Sequence, residues 1–369
     1  MKRIMGIISL VQDDSRIKEF TAKRPIGAIP IASRYRMIDF SLSCLVNSGI
    51  DNVGIMLPTR ARSLLDHIRS GKEWDLARKR KGLSYLPPIF EGERSRLGNI
   101  ASAYDNIDFV NQSDEEYILL VGGDIVYNMD FLSVYDCLRE SGADIVAVYT
   151  RARADKDEPG ALITAALGSN VVTDITFCSS VKVGDNVGLG IYLMKKSVYV
   201  DLVASAYERG GIDFLRDALM TMGDKYVAVG YEHTGYAVTI GSTMTYYRVS
   251  MEMLEPAVWE ELFMGERAIY TKMWDRAPVE YKSTAEVSDT LAANGCIVRG
   301  KVDHSVIFRG VVIEEGAVVQ NCVVMQGAVI QAGVHIANAI LDKNVTITED
   351  KRLGGAFNYP MIIGKGITI

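Results

Sequence analysis

The sequence predicts an α/β fold, in which a Rossmann-like domain with a mostly parallel sheet precedes a C-terminal left-handed parallel β-helix. Up to about residue 250, short aliphatic runs alternate with segments of helical periodicity. This alternation favours parallel strands joined by right-handed crossovers. After Ala292, aliphatic residues recur every six positions instead, which is typical of a triangular coil of hexapeptides.

Composition and charge limit the class of protein. The chain has 369 residues, 48% of them hydrophobic and 23% charged, which is enough for two domains with sizeable cores. Its net charge of −6 gives no electrostatic support for a nucleic-acid or anionic-membrane partner. No apolar run reaches the roughly 18 residues of a transmembrane helix. The cysteines lack CxxC spacing, the four histidines are scattered, and no signal peptide is recognised. We therefore expect a reduced cytoplasmic protein without a zinc site.

The first domain is expected over residues 1–250 and contains the clearest strand and helix signals. Its predicted strands are Ile4–Val11, Asn52–Pro58, Tyr117–Gly122 and Asp144–Tyr149, and its clearest helices are Asp39–Ser48 and Phe131–Ser141. Ligands of such sheets bind at the carboxyl ends of the strands. The segment "VGGDIVYNMDF" ends one of these strands, so Asp124 is expected at the mouth of the binding crevice.

Residues 251–291 are predicted to connect the two domains, and residues 292–369 to form the β-helix. The six-residue repeat consists of Val306, Val312, Val318, Val324, Ile330 and Ile336, and turn glycines are found at Gly310, Gly316, Gly327 and Gly333. We expect Val312, Val318 and Val324 to point into the coil. Hexapeptide coils also occur in acyltransferases that use a histidine base. His304 and His335 would be the candidates, but surface histidines are the favoured interpretation.

The turn after the first strand carries an unusual charge for an α/β protein. Phosphates usually bind at this turn, and glycines let its backbone amides close on the anion. Here the turn reads Gln12, Asp13, Asp14 and Ser15, without a glycine.

Several motifs resemble those of the bacterial ADP-glucose pyrophosphorylases over nearly the whole chain. The densest stretch, "RYRMIDFSLSCLVNSGIDNVGIM", resembles that family's "KYRIIDFxLSNCVNSGI". Further matches are "HIRSGKEWDLARKRKGLSYLPP", "GDIVYNMDF", "NVGLGIYLM" and "GYAVTIGSTMTYYRVSMEML". The resemblance implies a nucleotidyltransferase-like first domain. Active members join ATP and glucose 1-phosphate into ADP-glucose and release pyrophosphate, using Mg²⁺ and cationic side chains that offset phosphate charge.

The catalytic positions implied by this resemblance are altered. The family's "GGxGTRL" loop aligns with Val11 to Ile17, so that its glycines become Val11, Gln12 and Asp14 and only its arginine remains, as Arg16. Positions of the other lost groups are Ile26 for the "AKP" lysine, Cys178 for the "EKP" lysine and Thr239 for the second metal-binding aspartate. Asp124 retains the first aspartate. The purine-reading "GTADA" becomes "GNIAS", and a loop glutamine becomes Pro58.

The chain lacks the family's catalytic residues but keeps its fold motifs. This pattern resembles the GlgD-type subunit of this family, which accompanies a catalytic sister subunit. The resemblance implies a silent or very weakly active regulatory subunit of glycogen biosynthesis, in a hetero-oligomer and expectedly a heterotetramer. No cofactor is expected for this chain, because Mg²⁺ would be held by the catalytic partner. Subunit contacts are expected at the β-helix and around "RYRMIDFSLSCLVNSGI". Two alternatives stay open: an active nucleotidyltransferase with relocated catalytic groups, and a sugar-nucleotide or phosphate-binding sensor.

A phosphorylated effector is the remaining ligand that the sequence suggests. Arg34, Arg36, Arg60 and Arg62 are the candidates for an anion site, since guanidinium forks suit phosphate. Structural pairing of these arginines with carboxylates is an equally good interpretation.

Overall fold

The computed structural model describes residues 3–88, 98–153, 159–166, 168–356 and 358–369. It forms two compact units, each built from several stretches of the chain. One comprises Met1–Asp13, Ile38–Thr239 and Glu266–Tyr270, and the other comprises Asp14–Met37, Ile240–Gly265 and Thr271–Ile369. The boundaries predicted at residues 250 and 291 remain a prediction.

Short strands are distributed along residues 4–239 of the chain. The first of them, "IMGIIS", is buried throughout, as expected for a strand covered on both faces of a sheet. The described strands of this part are β1 (Ile4–Ser9), β2 (Pro30–Ile31), β3 (Tyr35–Arg36), β4 (Asn52–Met56), β5 (Gly82–Leu86), β6 (Tyr117–Gly122), β7 (Ile125–Tyr127), β8 (Ile145–Arg151), β9 (Gly160–Ala165), β10 (Val172–Cys178), β11 (Asn186–Lys195), β12 (Ala228–Glu232) and β13 (Ala237–Thr239).

Helices separate these strands as the alternation predicted. The described α-helices are α1 (Lys18–Thr21), α2 (Met37–Asn47), α3 (Arg62–Ile68), α4 (Asn99–Asp105), α5 (Ile107–Asn111), α6 (Phe131–Ser141), α7 (Lys196–Glu208), α8 (Thr243–Glu252) and α9 (Pro256–Trp259). Short 3₁₀ turns are found at Ile26–Ala28, Lys72–Trp74 and Gly223–Lys225, and π-helical turns at Phe214–Leu219 and Glu260–Met264.

The described residues include a nine-stranded sheet with the order β10-β9-β11-β6-β1-β4-β5, and β8 pairs with both β11 and β12. Strands β6, β1, β4 and β5 run parallel, which confirms the predicted α/β class. Strand β11 joins β6 in antiparallel fashion, and β9 and β10 form an antiparallel pair beside it.

Local sequence features determine where α6 begins and ends. Asp130 caps its start by accepting a hydrogen bond from Leu132 N, and Gly142 ends it at φ 67°.

Helix α2 lies inside the densest matched segment and is buried along most of its length. Among the polar contacts that hold it, His67 Nε2 lies 2.6 Å from Asp39 Oδ1, and Trp74 Nε1 donates to Ser43 Oγ at 3.2 Å. Burial and these contacts give the segment a structural role in the fold. The expected subunit contact around this segment stays a prediction, and within the segment Arg34 and Gly49 are exposed.

The C-terminal segment is a left-handed parallel β-helix, as predicted. Two-residue strands stack along one side in the order β14-β16-β18-β20-β22, and longer strands stack along another in the order β15-β17-β19-β21-β23, with β24 also paired to β21. Its strands are β14 (Glu280–Tyr281), β15 (Glu286–Ala292), β16 (Ile297–Val298), β17 (Lys301–Ile307), β18 (Val312–Ile313), β19 (Val318–Val324), β20 (Val329–Ile330), β21 (His335–Leu341), β22 (Thr346–Ile347), β23 (Arg352–Gly354) and β24 (Met361–Ile363).

The inward register differs from the strict six-residue repeat at two positions. Val324 is fully buried as expected, but Val312 and Val318 are partly exposed, while Ile313 and Val319 are fully buried. Equivalent residues of successive coils, such as Asn321 and Asn338, are 17 positions apart, one fewer than three hexapeptides contain. A one-residue offset moves a side chain to the opposite face of a strand. Val312 and Val318 therefore lie on the outer face of the coil, although the six-residue repeat predicts the inner face.

No helix among the described residues is long and apolar enough to cross a membrane.

Candidate functional site

The candidate site lies where β1 and β6 end side by side. Ser9, the last residue of β1, is in register with Gly122, the last residue of β6, and Gly123 N donates to Ser9 O at 3.0 Å. Both chain segments therefore leave the sheet at the same edge. This parallel pairing brings Gln12 close to Asp124 at the carboxyl ends of the two strands.

The side chain of Gln12 contacts the carboxylate of Asp124, to which the resemblance assigns metal binding. Gln12 Nε2 donates to Asp124 Oδ1 at 3.0 Å. Burial raises the pKa of Asp124 to about 6, although hydrogen bonds from the backbone and from Gln12 oppose the shift. Within the described residues Asp124 forms no ion pair, so no described cationic side chain offsets the cost of burying this carboxylate.

Gly122, two residues before Asp124, is closely packed against that carboxylate. A Cβ at Gly122 would lie 2.4 Å from Asp124 Oδ1 and 3.4 Å from Gln12 Nε2. Atoms that close leave no room for a side chain. The Gln12–Asp124 contact thus fills the space next to the strand end.

Thr239 stands close to Asp124, where the resemblance places a second carboxylate. Strands β13 and β7 pair in antiparallel fashion with Thr239 opposite Ile125, which directly follows Asp124. Thr239 contributes a neutral hydroxyl, which is a poor ligand for Mg²⁺. Among the described residues, no group of three or more His, Cys, Asp or Glu side chains is placed to hold a metal ion. With one carboxylate, itself engaged by an amide donor, these residues do not fit a Mg²⁺ site.

The other sequence-predicted positions fall on separate elements. Val11 is partly buried against the sheet core, and Cys178 ends β10 opposite Gly160, half-buried. Ile26 is buried in its 3₁₀ turn, where it supplies no charge. Arg16 is exposed, and its carbonyl accepts a hydrogen bond from Thr243 N at 3.3 Å.

Asp14 is also without a phosphate-binding geometry. It is half-buried, and its carbonyl oxygen accepts a hydrogen bond from Ile17 N at 3.0 Å. The backbone of this turn is thereby engaged in a local contact, beside a carboxylate that would repel phosphate.

The altered purine-reading segment is closed by the chain's own backbone. Gly98 precedes α4 at φ 107°, and a Cβ there would lie 2.1 Å from Ile212 O. Asn99 Oδ1 accepts from Phe214 N at 2.7 Å, and Asn99 Nδ2 donates to Asp213 Oδ2 at 3.1 Å. With these hydrogen bonds, the Asn99 side chain at the start of α4 has its partners within the protein.

The four candidate anion-site arginines do not share one compact unit. Arg34 Nη2 donates to Tyr35 OH at 2.7 Å, and its guanidinium carbon lies 4.9 Å from the Tyr35 ring centroid, which is a structural use of that residue. Arg36 is half-buried on β3 of the same unit. Arg60 and Arg62 are exposed and belong to the other unit.

Sequence reasoning missed a cationic cluster around Lys343, defined here as Arg24, Arg36, Lys343 and Lys365. Arg24 is 4% exposed and forms a buried ion pair with Asp342 through Nη2, while its Nη1 is buried without a hydrogen-bond partner. Burial, together with the charges of Arg36 and Arg24, lowers the pKa of Lys343 to about 7. Lys365 adds to the effect, and Asp342 opposes it. Arg24 and its partner Asp342 are 318 residues apart along the chain, so no local sequence signal could have joined this cluster.

The two β-helix histidines are placed as surface residues. His304 Nδ1 contacts the Asp289 carboxylate in a partly exposed pair, and His335 is exposed on β21. The cysteines are all free thiols.

Comparison with known proteins gives the chain two matching family models. The nucleotidyl transferase model matches residues 14–256, and the GlmU-like C-terminal hexapeptide model matches residues 277–358. The glycogen biosynthesis protein GlgD of Bacillus subtilis (strain 168) is 34% identical over 366 residues, which cover 99% of this chain and 96% of that protein. GlgD of Geobacillus stearothermophilus is 35% identical over 86% of this chain and 83% of its own length.

A catalytic relative is similar at lower identity. The glucose-1-phosphate adenylyltransferase of Mycoplasma mobile (strain ATCC 43663 / 163K / NCTC 11711) is 30% identical over 87% of this chain and 85% of its own length. The matched models and these full-length similarities confirm the resemblance drawn from the motifs. The chain therefore belongs to the nucleotidyltransferase family that contains the GlgD proteins and the glucose-1-phosphate adenylyltransferases.

Proposed function

We propose that this chain is a non-catalytic or very weakly active regulatory subunit in glycogen biosynthesis, acting in a hetero-oligomer with a homologous catalytic glucose-1-phosphate adenylyltransferase. The observation that carries the proposal is the Gln12–Asp124 contact of 3.0 Å at the strand end. It supports catalytic silence because the remaining metal-binding carboxylate is capped by an amide, and the neighbouring position is Thr239.

The expected loss of catalytic rate follows from the catalytic groups that are missing. Removing one electrostatic stabiliser of a transition state typically costs about 3–4 kcal/mol, or 10²–10³ in rate. The lysine positions at Ile26 and Cys178 and the carboxylate position at Thr239 are independent losses. Three such losses amount to many orders of magnitude in rate.

The direct experiment compares the chain alone with its mixture. Purified chain is given ATP, glucose 1-phosphate and Mg²⁺, and pyrophosphate release is measured with and without a catalytic family member from the same organism. We expect background activity alone, a mixed species by size exclusion with light scattering, and altered kinetics in the mixture. Regulation of this kind requires a coupling free energy of about 1–3 kcal/mol, which changes affinity 5–150-fold.

A variant of Asp124 separates this proposal from the alternative of an active enzyme with relocated groups. The mixture is assayed with the parent chain and with its Asp124→Asn variant. A silent site predicts equal activity of the two mixtures. Saturable turnover by the parent alone, abolished in the variant, would establish the active alternative, and a mixture that equals the sum of its parts would contradict regulation.

We also propose that the cationic cluster is the binding site of a phosphorylated effector, in place of the predicted set that included Arg60 and Arg62. The support is the buried, unpartnered Nη1 of Arg24 and the concentration of positive charge around Lys343. Guanidinium groups in such a setting bind phosphate oxygens well. A sugar bisphosphate and inorganic phosphate should raise the melting temperature of the parent chain. Arg36→Gln should lose most of this rise, whereas the control Arg60→Gln should keep it; equal responses of the two variants would contradict the site.

A further inference from the structure

A groove of about 300 Å³ crosses strands β19, β21 and β23 on the outer face of the β-helix. Val319 and Ile336 on these strands are buried in the core of the coil, so the residues on either side of them face outward. Two rows of such residues line the groove in register across the three strands: Val318, His335 and Arg352 in one row, and Gln320, Ala337 and Gly354 in the other.

Small residues leave the space that makes the groove. Ala337 and Gly354 are neighbours in register, and a Cβ at Gly354 would lie 3.6 Å from Ala337 O, which is an ordinary contact distance. The floor is thus open to a ligand, and the partly exposed Val318 adds apolar surface beside it. The exposed side chains of His335 and Arg352 stand at the rim.

The polar side chains around the groove are not engaged within the protein. Among the described residues, the side chains of Gln320, His335 and Arg352 form no hydrogen bond or ion pair. A guanidinium group has five N–H donors, and an amide has both donors and an acceptor. These groups are therefore available to a ligand that lies in the groove.

Two carboxylates on the same face are already paired. Asp303 Oδ1 accepts a hydrogen bond from Ser288 Oγ at 2.7 Å, and Glu286 Oε2 lies 3.2 Å from Lys301 Nζ in an ion pair. Neither pair includes Arg352, whose positive charge is not neutralised by a described carboxylate. The groove therefore favours an anion.

We propose that this groove binds a small carboxylic acid with an apolar body. The Arg352 guanidinium holds the carboxylate through two parallel N–H donors, and the apolar body lies on Val318 and Ala337. Gln320 and His335 hydrogen-bond further polar groups of the ligand. The volume is at the lower end for small-molecule pockets, and one permanent positive charge suits a monoanion better than a phosphate dianion. The proposal depends neither on the proposed function nor on the cationic cluster around Lys343.

The experiment titrates benzoate into the full chain at pH 7.5 and follows binding by ligand-observed NMR. We expect saturable binding in the millimolar range. Arg352→Gln should weaken it about tenfold, because a charge-assisted pair of hydrogen bonds is lost. Ala337→Leu should weaken it by a similar factor, because the larger side chain fills the floor. The melting temperature of Arg352→Gln should match that of the parent, since Arg352 is exposed.

The control variant is Lys301→Gln, because Lys301 lies on the same face but does not line the groove. It should keep the benzoate affinity within about twofold, and Arg36→Gln, in the cationic cluster, should do the same. Absence of saturable benzoate binding, or equal affinities of Arg352→Gln and Lys301→Gln, would overturn the proposal. Inorganic phosphate that displaces benzoate and binds more tightly would overturn the carboxylate assignment. Loss of binding in Arg36→Gln with retention in Arg352→Gln would assign the anion to the cationic cluster instead.

Discussion

Replacing Asp124 by asparagine should stabilise the chain at neutral pH. Burial raises the pKa of this carboxyl from 3.8 to about 6, so the folded state holds the proton more tightly than the unfolded state. Between those pH values the folded chain binds more protons, and its stability falls as the pH rises. At neutral pH the ionised carboxylate therefore lowers the free energy of unfolding.

The magnitude follows from the size of the pKa change. At about 1.4 kcal/mol per pH unit, this difference corresponds to an upper limit of about 3 kcal/mol. Asp124 is partly exposed, and solvent screening reduces the effect to about 1–2 kcal/mol. An asparagine at this position has nearly the same shape, and its carbonyl oxygen can still accept the hydrogen bond from Gln12 Nε2.

Chemical unfolding of parent and Asp124→Asn at several pH values is the assay. The variant should be more stable at pH 7.5, and its advantage should shrink as the pH falls from about 7 to about 4. The exposed Asp224 provides the control, since Asp224→Asn should change stability by no more than about 0.5 kcal/mol. A destabilised Asp124→Asn variant, or a gain that does not depend on pH, would refute the reasoning. Destabilisation would indicate that a cation keeps Asp124 ionised, as an active metal site requires, and a gain independent of pH would show that the titration of Asp124 does not cause it.

Three further outcomes are expected from substitutions elsewhere. Val319→Asp buries an unpaired charge inside the coil and should lower the free energy of unfolding by about 3 kcal/mol or more. Val318→Asp, in register with Lys301, should leave it nearly unchanged. Equal melting temperatures of the two variants would contradict the inward register. Arg24→Met leaves Asp342 buried without its partner and should cost about 3–5 kcal/mol in chemical unfolding. Adding Asp342→Leu to that variant should recover most of the loss, and a double variant as unstable as the single one would argue against the ion pair.

The location of a candidate site residue in the fold could be predicted where that residue closely follows a strand. The alternation of strands and helices places the ends of β1 and β6 at one edge of the sheet, so Gln12 and Asp124 could be expected near each other. Their hydrogen bond could not be predicted, because it depends on the side-chain conformation that the packing of Gly122 and Gly123 permits. The identity of Thr239 was visible in the sequence, but its position opposite Ile125 depends on the pairing of β13 with β7.

The sequence alone determined the two-part architecture, because hydrophobic periodicity is a local property of the chain. It also determined which catalytic residue types are missing, since a glycine, lysine or aspartate either stands at a position or does not. Only the tertiary structure decided that Val319 rather than Val318 points into the coil. Each coil has 17 residues, one fewer than three hexapeptides, and this difference cannot be seen within a single hexapeptide. The tertiary structure alone assembled the cationic cluster, since burial and charge act between groups that are near in space and remote along the chain.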